Sequence, residues 1–122
     1  MSEPTRIAAP DGVAPAAQFV AASGRLAVDE DGETVGAGDP AAQARQVFGN
    51  LRRCPAPAGA TFEDVGQLTH FVTDMAHVPA IRAARAAHIP DDRLPAASAV
   101  QVAALVAPEF LMEVEAFAVV PG

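Results

Sequence analysis

Apolar and polar positions fall into short blocks whose period changes along the chain. Gln18-Phe-Val-Ala-Ala-Ser23 reads as a short buried strand that ends at Gly24 and continues as a second stretch through Arg25-Leu-Ala-Val28. Asp29-Glu-Asp-Gly32 reads as a turn, with Gly32 free to take a positive φ. Asp39-Pro40 marks a helix start, Asp as the cap and Pro at the first helical position. Ala44, Val47, Phe48 and Leu51 then follow at helical spacing, so one face of that helix is apolar. It is expected to stop near Cys54, because Pro55 and Pro57 cannot continue it.

Thr61-Phe-Glu-Asp64 is suited to cap a short turn before Val65–Thr73, where Leu68, His70 and Val72 alternate with Gln67, Thr69 and Phe71. Pro79–His88 has helical propensity and carries Ile81, Arg82, Arg85 and His88 along adjacent stripes; Pro90-Asp-Asp92 ends it. Ala97–Leu105 and Leu111–Val120, separated by Pro108, read as two final strands. The order β-β-α-β-α-β-β predicts an α/β (α+β) domain with two helices on one face of a sheet of about four to six strands. No linker, repeat or low-complexity tail divides residues 1–122 into more than one domain.

The last strand holds the main chemical oddity. Glu113 and Glu115 share a face with Leu111, Phe117 and Val119, while the opposite face is wholly apolar. Carboxylates in an apolar strand need Arg partners, water or a ligand. A solvated edge or a structural ion pair is one reading, and a site is the other.

Composition narrows the chemistry. At 122 residues the chain can bury about two-thirds of its unfolded surface, enough for one core, although alanine makes up about a quarter of it. All eight basic residues are Arg, and Lys, Tyr and Trp are absent, which excludes a lysine Schiff base and a tyrosine general acid. The formal charge of −7 argues against a nucleic-acid surface, which needs a clustered basic face. Cys54 is the only cysteine, so neither an internal disulfide nor a thiolate metal cluster is expected. There is no amino-terminal basic-then-apolar signal and no apolar run of about 18 residues, which makes a cytoplasmic protein without membrane contact the expectation.

His70, His77 and His88 lack metal-pair spacing, and no metal or cofactor is expected. His70, within a strand, reads first as a hydrogen-bonded core or interface residue, and Cys54 sits where the helix dipole disfavours a thiolate. Ser23 and Ser98 have no base beside them in sequence, and no Gly-x-Ser-x-Gly elbow is present.

Several segments taken in order resemble the RidA family, also called YjgF/YER057c/UK114, of enamine/imine deaminases. They are Ala22-Ser-Gly-Arg25, Gln43-x-x-Gln46 leading to Asn50-Leu51, Ala58-Gly-Ala-Thr with Asp64-Val65, Phe71-Val-Thr-Asp-Met75, Pro95-Ala-Ala-Ser98 and Glu113-Val-Glu-Ala116. The resemblance implies a chorismate-mutase-like fold and a homotrimer with small-molecule pockets between subunits. It also implies that Glu113 positions the attacking water and exchanges protons as an imine is hydrolysed, with Ser23, Gly24, Ala97 and Ser98 lining the pocket.

In typical deaminating members the segment Pro95-Ala96-Ala97-Ser98 reads Pro-Ala-Arg-Ser, and its arginine grips the substrate carboxylate. Here that position is Ala97. The family's amino-terminal tyrosine has no counterpart, and Arg82 falls where an Asn is common. Two readings follow. One is an enzyme on an enamine, imine or related activated intermediate, in a catabolic or specialised biosynthetic pathway, whose substrate lacks the usual carboxylate or presents it to Arg25 or Arg82. The other is a non-catalytic trimeric ligand-binding or regulatory protein of the same fold. A ribonuclease role ranks last for an acidic, Lys-free chain.

Overall fold

The computed structural model describes residues 5–7, 17–53 and 59–121. Within them, helix α1 (Pro40–Arg53) starts where capping chemistry requires: the Ala42 N–H donates to Asp39 Oδ1 at 3.1 Å. Arg52 and Arg53 close its last turn, where positive charge complements the helix dipole. Cys54, Pro55 and Pro57, expected to stop this helix, lie outside the described residues.

The other elements are β1 (Thr5–Ile7), β2 (Ala17–Arg25), β3 (Val65–Val72), α2 (Val78–Ala86), β4 (Ala96–Gln101) and β5 (Met112–Pro121). The expected β-β-α-β-α-β-β string is present, and its first expected strand, Gln18–Ser23, lies within β2, but the other member of the opening pair is a different segment. Arg25–Val28 is not a strand of its own, since β2 runs through Gly24 to Arg25 and Val28 makes only an isolated bridge to Thr34. The additional strand is β1, whose three residues are too few to show alternation in the sequence. β4 stops well before Leu105, because its partner β3 ends at Val72; the Val102 N–H makes the final bond, to Val72 O at 2.8 Å. At the end of α2 the His88 and Ile89 N–H groups both turn back to Arg85 O.

The strands form one sheet in the order β1-β2-β5-β3-β4. All pairings are antiparallel except β3 with β4, which α2 connects. The core lies on one face of this sheet, where Ala44, Val47, Phe48 and Leu51 of α1 and Ile81 and Ala84 of α2 pack on Leu68, Val72, Met112, Val114 and Ala116. Thr61 and Asp64 form a reciprocal cap ahead of β3, as the sequence suggests.

Three polar residues of the Gln43-x-x-Gln46…Asn50 pattern are structural. Gln43, fully buried, donates from Nε2 to Gly36 O (3.1 Å) and Glu109 O (2.8 Å), and its Oε1 accepts from Leu111 N–H at 2.9 Å. Asn50 donates to Leu26 O and Val28 O, and Gln46 to Val28 O. These amides tie α1 to the chain leaving β2 and to the chain entering β5. Gln43→Ala would remove three hydrogen bonds made by a buried amide to part-buried backbone groups, at about 0.5–1.5 kcal/mol each. The expected outcome is a loss of about 2 kcal/mol or more, read as a lower urea midpoint; an unchanged midpoint would refute this account of the amide.

Candidate functional site

The alternation of β5 separates two chemistries. Met112, Val114, Ala116, Ala118 and Val120 are buried, while Glu113, Glu115, Phe117 and Val119 project from the other face, which neither helix covers. Register places Phe71 beside Glu113 and Thr69 beside Glu115, with Val100 and Ser98 one strand further on, beside Phe71 and Thr69. This face is apolar for an open surface: Phe19 is 57% exposed and Phe117 44%.

Between Ala22 and Arg25 the pairing of β2 with β5 shifts by one residue, so Ser23 and Gly24 stand against Glu115 alone. This bulge makes room for Glu113. A methyl group placed on Gly24 would overlap the Glu113 carboxylate and lie 2.8 Å from its Cγ. Gly24 does not adopt a positive φ, so glycine is needed there for space, not for backbone freedom. Burial against this backbone pushes the Glu113 carboxyl above its ordinary value, and the neighbouring Glu115 charge adds to the shift. Glu113 has no ion-pair partner among the described residues.

A second group of residues lines a cavity of about 180 Å³ between α2 and β4: His70, Val78, Ile81, Arg82, Arg85, Ala97, Ser98 and Ala99. His70 is buried, with Nδ1 3.0 Å from Ser98 O. Burial holds its pKa below the usual histidine value; the Ser98 bond opposes this, and the Arg85 charge reinforces it. On its other side His70 meets the ring of Phe48 at 6.3 Å.

The expected site residues therefore fall into two groups. Ser23, Gly24 and Glu113 come together at the bulge, whereas Arg82, Ala97 and Ser98 meet in the α2–β4 cavity. Register sets Ala97 beside Leu68, on the helix-covered face, and so opposite in direction to Glu113. Arg25 is buried to 5% exposure, opposite Val114, and is not part of the cavity wall. Arg85 is a cavity residue that the chain pattern did not single out, whereas His70, read first as a hydrogen-bonded core or interface residue, is buried and bonded to Ser98 O and also lines the cavity. The signals were present separately, a histidine on the buried face of a strand and an arginine one turn after Arg82, but only the tertiary fold sets them side by side.

A mixed sheet with two helices on one face and a carboxylate at a strand bulge defines the class of protein. Residues 8–120 match the family model described as Endoribonuclease L-PSP, and the chain belongs to that family, the RidA or YjgF/YER057c/UK114 family. Among its relatives is the 3-aminoacrylate deaminase RutC of Acinetobacter baylyi, 35% identical over 94% of this chain and 98% of that protein. Solved structures similar to this chain include two members of the family. One is a conserved Rid-family protein of Yersinia pestis, at TM-score 0.75 and 32% identity over 93% of this chain and 97% of that one. The other is a YjgF/YER057c/UK114 member of Mycobacterium tuberculosis, at TM-score 0.70 and 27% identity over 93% and 98%. No helix among the described residues is long and apolar enough to cross a membrane.

The raised Glu113 pKa has a testable sign. Folding disfavours the charged form, so stability is greatest below the unfolded carboxyl value of about 4.3 and declines as pH rises through the folded value. Glu113→Gln lacks this penalty. It is expected to melt higher than the natural protein at pH 7, with the difference vanishing near pH 3.5; a pH-independent difference would contradict the burial account.

Proposed function

We propose that the protein is an enamine/imine deaminase-like enzyme that acts on a small molecule, with Glu113 as its proton shuttle. The observation that carries this reading is the Glu113 carboxylate held against Gly24, on the uncovered sheet face, with a raised proton affinity. A carboxyl group with a raised proton affinity is better matched than an ordinary one to exchanging protons with a substrate. Glu113 in its protonated form gives its proton to the enamine carbon, forming the iminium, and water then adds to the C=N bond as its proton passes to the carboxylate. Glu113 returns that proton to the carbinolamine nitrogen, and ammonia leaves as the hydroxyl proton passes back to Glu113, leaving a carbonyl and the protonated carboxyl group. The kinship with a 3-aminoacrylate deaminase supports the substrate class, a short enamine acid.

The uncovered face supports the homotrimer that the family resemblance implies. Phe19, Val100, Phe117 and Val119 would be covered by neighbouring copies. Because Ala97 and Glu113 project to opposite faces of one chain, a pocket containing both is completed by a second copy.

The test generates 2-aminoacrylate or 3-aminoacrylate in situ and follows ammonia release. Glu113→Gln is expected to lower turnover by about 10²–10⁴-fold. Gly24→Ala, which displaces the carboxylate, is expected to lower kcat and shift the acidic limb of the pH profile while leaving the melting temperature close to the natural value. Absence of turnover by the natural protein with either substrate would sink the reading and favour a binding-only protein. Equal turnover by Glu113→Gln would remove the carboxylate from its role.

A further inference from the structure

Charge in this molecule is sorted by layer. The chain holds 15 acidic residues against eight arginines, yet α1 and α2 carry Arg45, Arg52, Arg53, Arg82 and Arg85 and no Asp or Glu. A helix that is merely solvated mixes both signs at i, i+4 spacing. Arg82 and Arg85 border the α2–β4 cavity. Arg45 and Arg52 stand on the exposed side of α1, two helical turns or about 10 Å apart, and neither has an ion pair among the described residues. They border a groove between the two helices. Its floor is Ala41 from α1 and Ala80, Ala83, Ala84 and Ala87 from α2, and Arg45 and His88 complete the wall around about 370 Å³. A second depression begins at Ala87 and His88 and continues to Arg52 and Thr61. No acid lines the alanine groove, and Glu63, the acid in its continuation, is already paired with Arg93 at 3.2 Å. The His88 ring is engaged too, stacked on Phe48 with 14° between the planes.

We infer that the groove between α1 and α2 docks an amphipathic helix of a partner protein, with small apolar side chains on one face and Asp or Glu two turns apart on its flank. The alanine floor lets two helix backbones approach to the short end of the usual separation of about 8–10 Å. Carboxylates at i and i+7 of the incoming helix then meet Arg45 and Arg52, which have the same spacing on α1. Charge complementarity chooses the occupant. Two copies of this layer would set arginine against arginine, which disfavours self-pairing through it. A nucleic acid fits less well, because alanine gives bases no ring to stack on and two arginines neutralise few phosphates. The trimer proposed above covers the opposite face of the sheet, so the groove stays open in it.

The experiment titrates the full chain into labelled peptides of about 20 residues, long enough to hold a helix, and follows fluorescence anisotropy at low and high salt. The probe peptide has Ala and Leu on one face and Glu at i and i+7 beside it; two counterparts carry Gln or Lys at the Glu positions. The Glu peptide is expected to bind, more tightly at low salt, the Gln peptide about tenfold more weakly, and the Lys peptide not measurably. The double variant Arg45→Gln, Arg52→Gln is expected to weaken the Glu peptide by about tenfold while melting close to the natural protein. Ala83→Leu, at an exposed position in the groove, is expected to weaken it as well. In the natural protein the amide resonances of Ala83 and Ala87 are expected to shift with the Glu peptide, which locates binding without any variant. No binding of the Glu peptide, equal binding of the Gln peptide, unchanged affinity in the arginine variant, or unmoved Ala83 and Ala87 resonances would overturn the assignment. Two further outcomes would also overturn it. Tighter binding of single-stranded RNA that is lost in the arginine variant would give the surface to nucleic acid, and salt-sensitive association between trimers that is lost in the same variant would give it to a second copy.

Discussion

The side-chain amide of Gln43 sets the phase of the whole sheet. Its Oε1 receives the Leu111 N–H and its Nε2 reaches Gly36 O and Glu109 O, so one buried group joins the loop before α1 to the segment that becomes β5. β5 is the central strand, paired with β2 on one side and β3 on the other. In a pleated strand a slip of one residue exchanges the two faces. A slip here would turn Glu113 into the core and Val114 out of it. Anchoring Leu111 is thus what keeps an apolar set beneath the helices and a carboxylate on the face opposite them.

That division of faces explains why the polar chemistry lies in two places. The bulge in β2 and the missing side chain of Gly24 make space for Glu113 on the uncovered face. The guanidinium groups and the buried imidazole gather on the other side, where β4 at the sheet edge meets α2. Both groupings depend on the same alternation along β3 and β5, with Phe71 beside Glu113 and His70 beside Val114.

Much of the fold was legible in the chain because its signals are local. Asp39-Pro40, the apolar spacing of α1 and the alternation of β3 and β5 each follow from neighbouring residues, and the corresponding elements lie where the spacing predicts. β1 was not legible, since three residues carry no period, and β4 was over-extended, since its end is set by where β3 stops. At the site, Glu113 stood out as a charge in an apolar strand, and Gly24 was associated with it through the family pattern. The alliance of His70 with Arg85 was not visible, because it joins a strand to a helix through a β3–β4 pairing that no local pattern encodes.

The close approach of Glu113 to Gly24 has a consequence for how its acidity responds to surroundings. The shift comes first from burial and only second from Glu115. Dissolved ions screen the repulsion between two carboxylates, but they do not rehydrate a group pressed against backbone. The larger part of the rise in the proton affinity of Glu113 is therefore set by shape, and it persists when ionic strength changes.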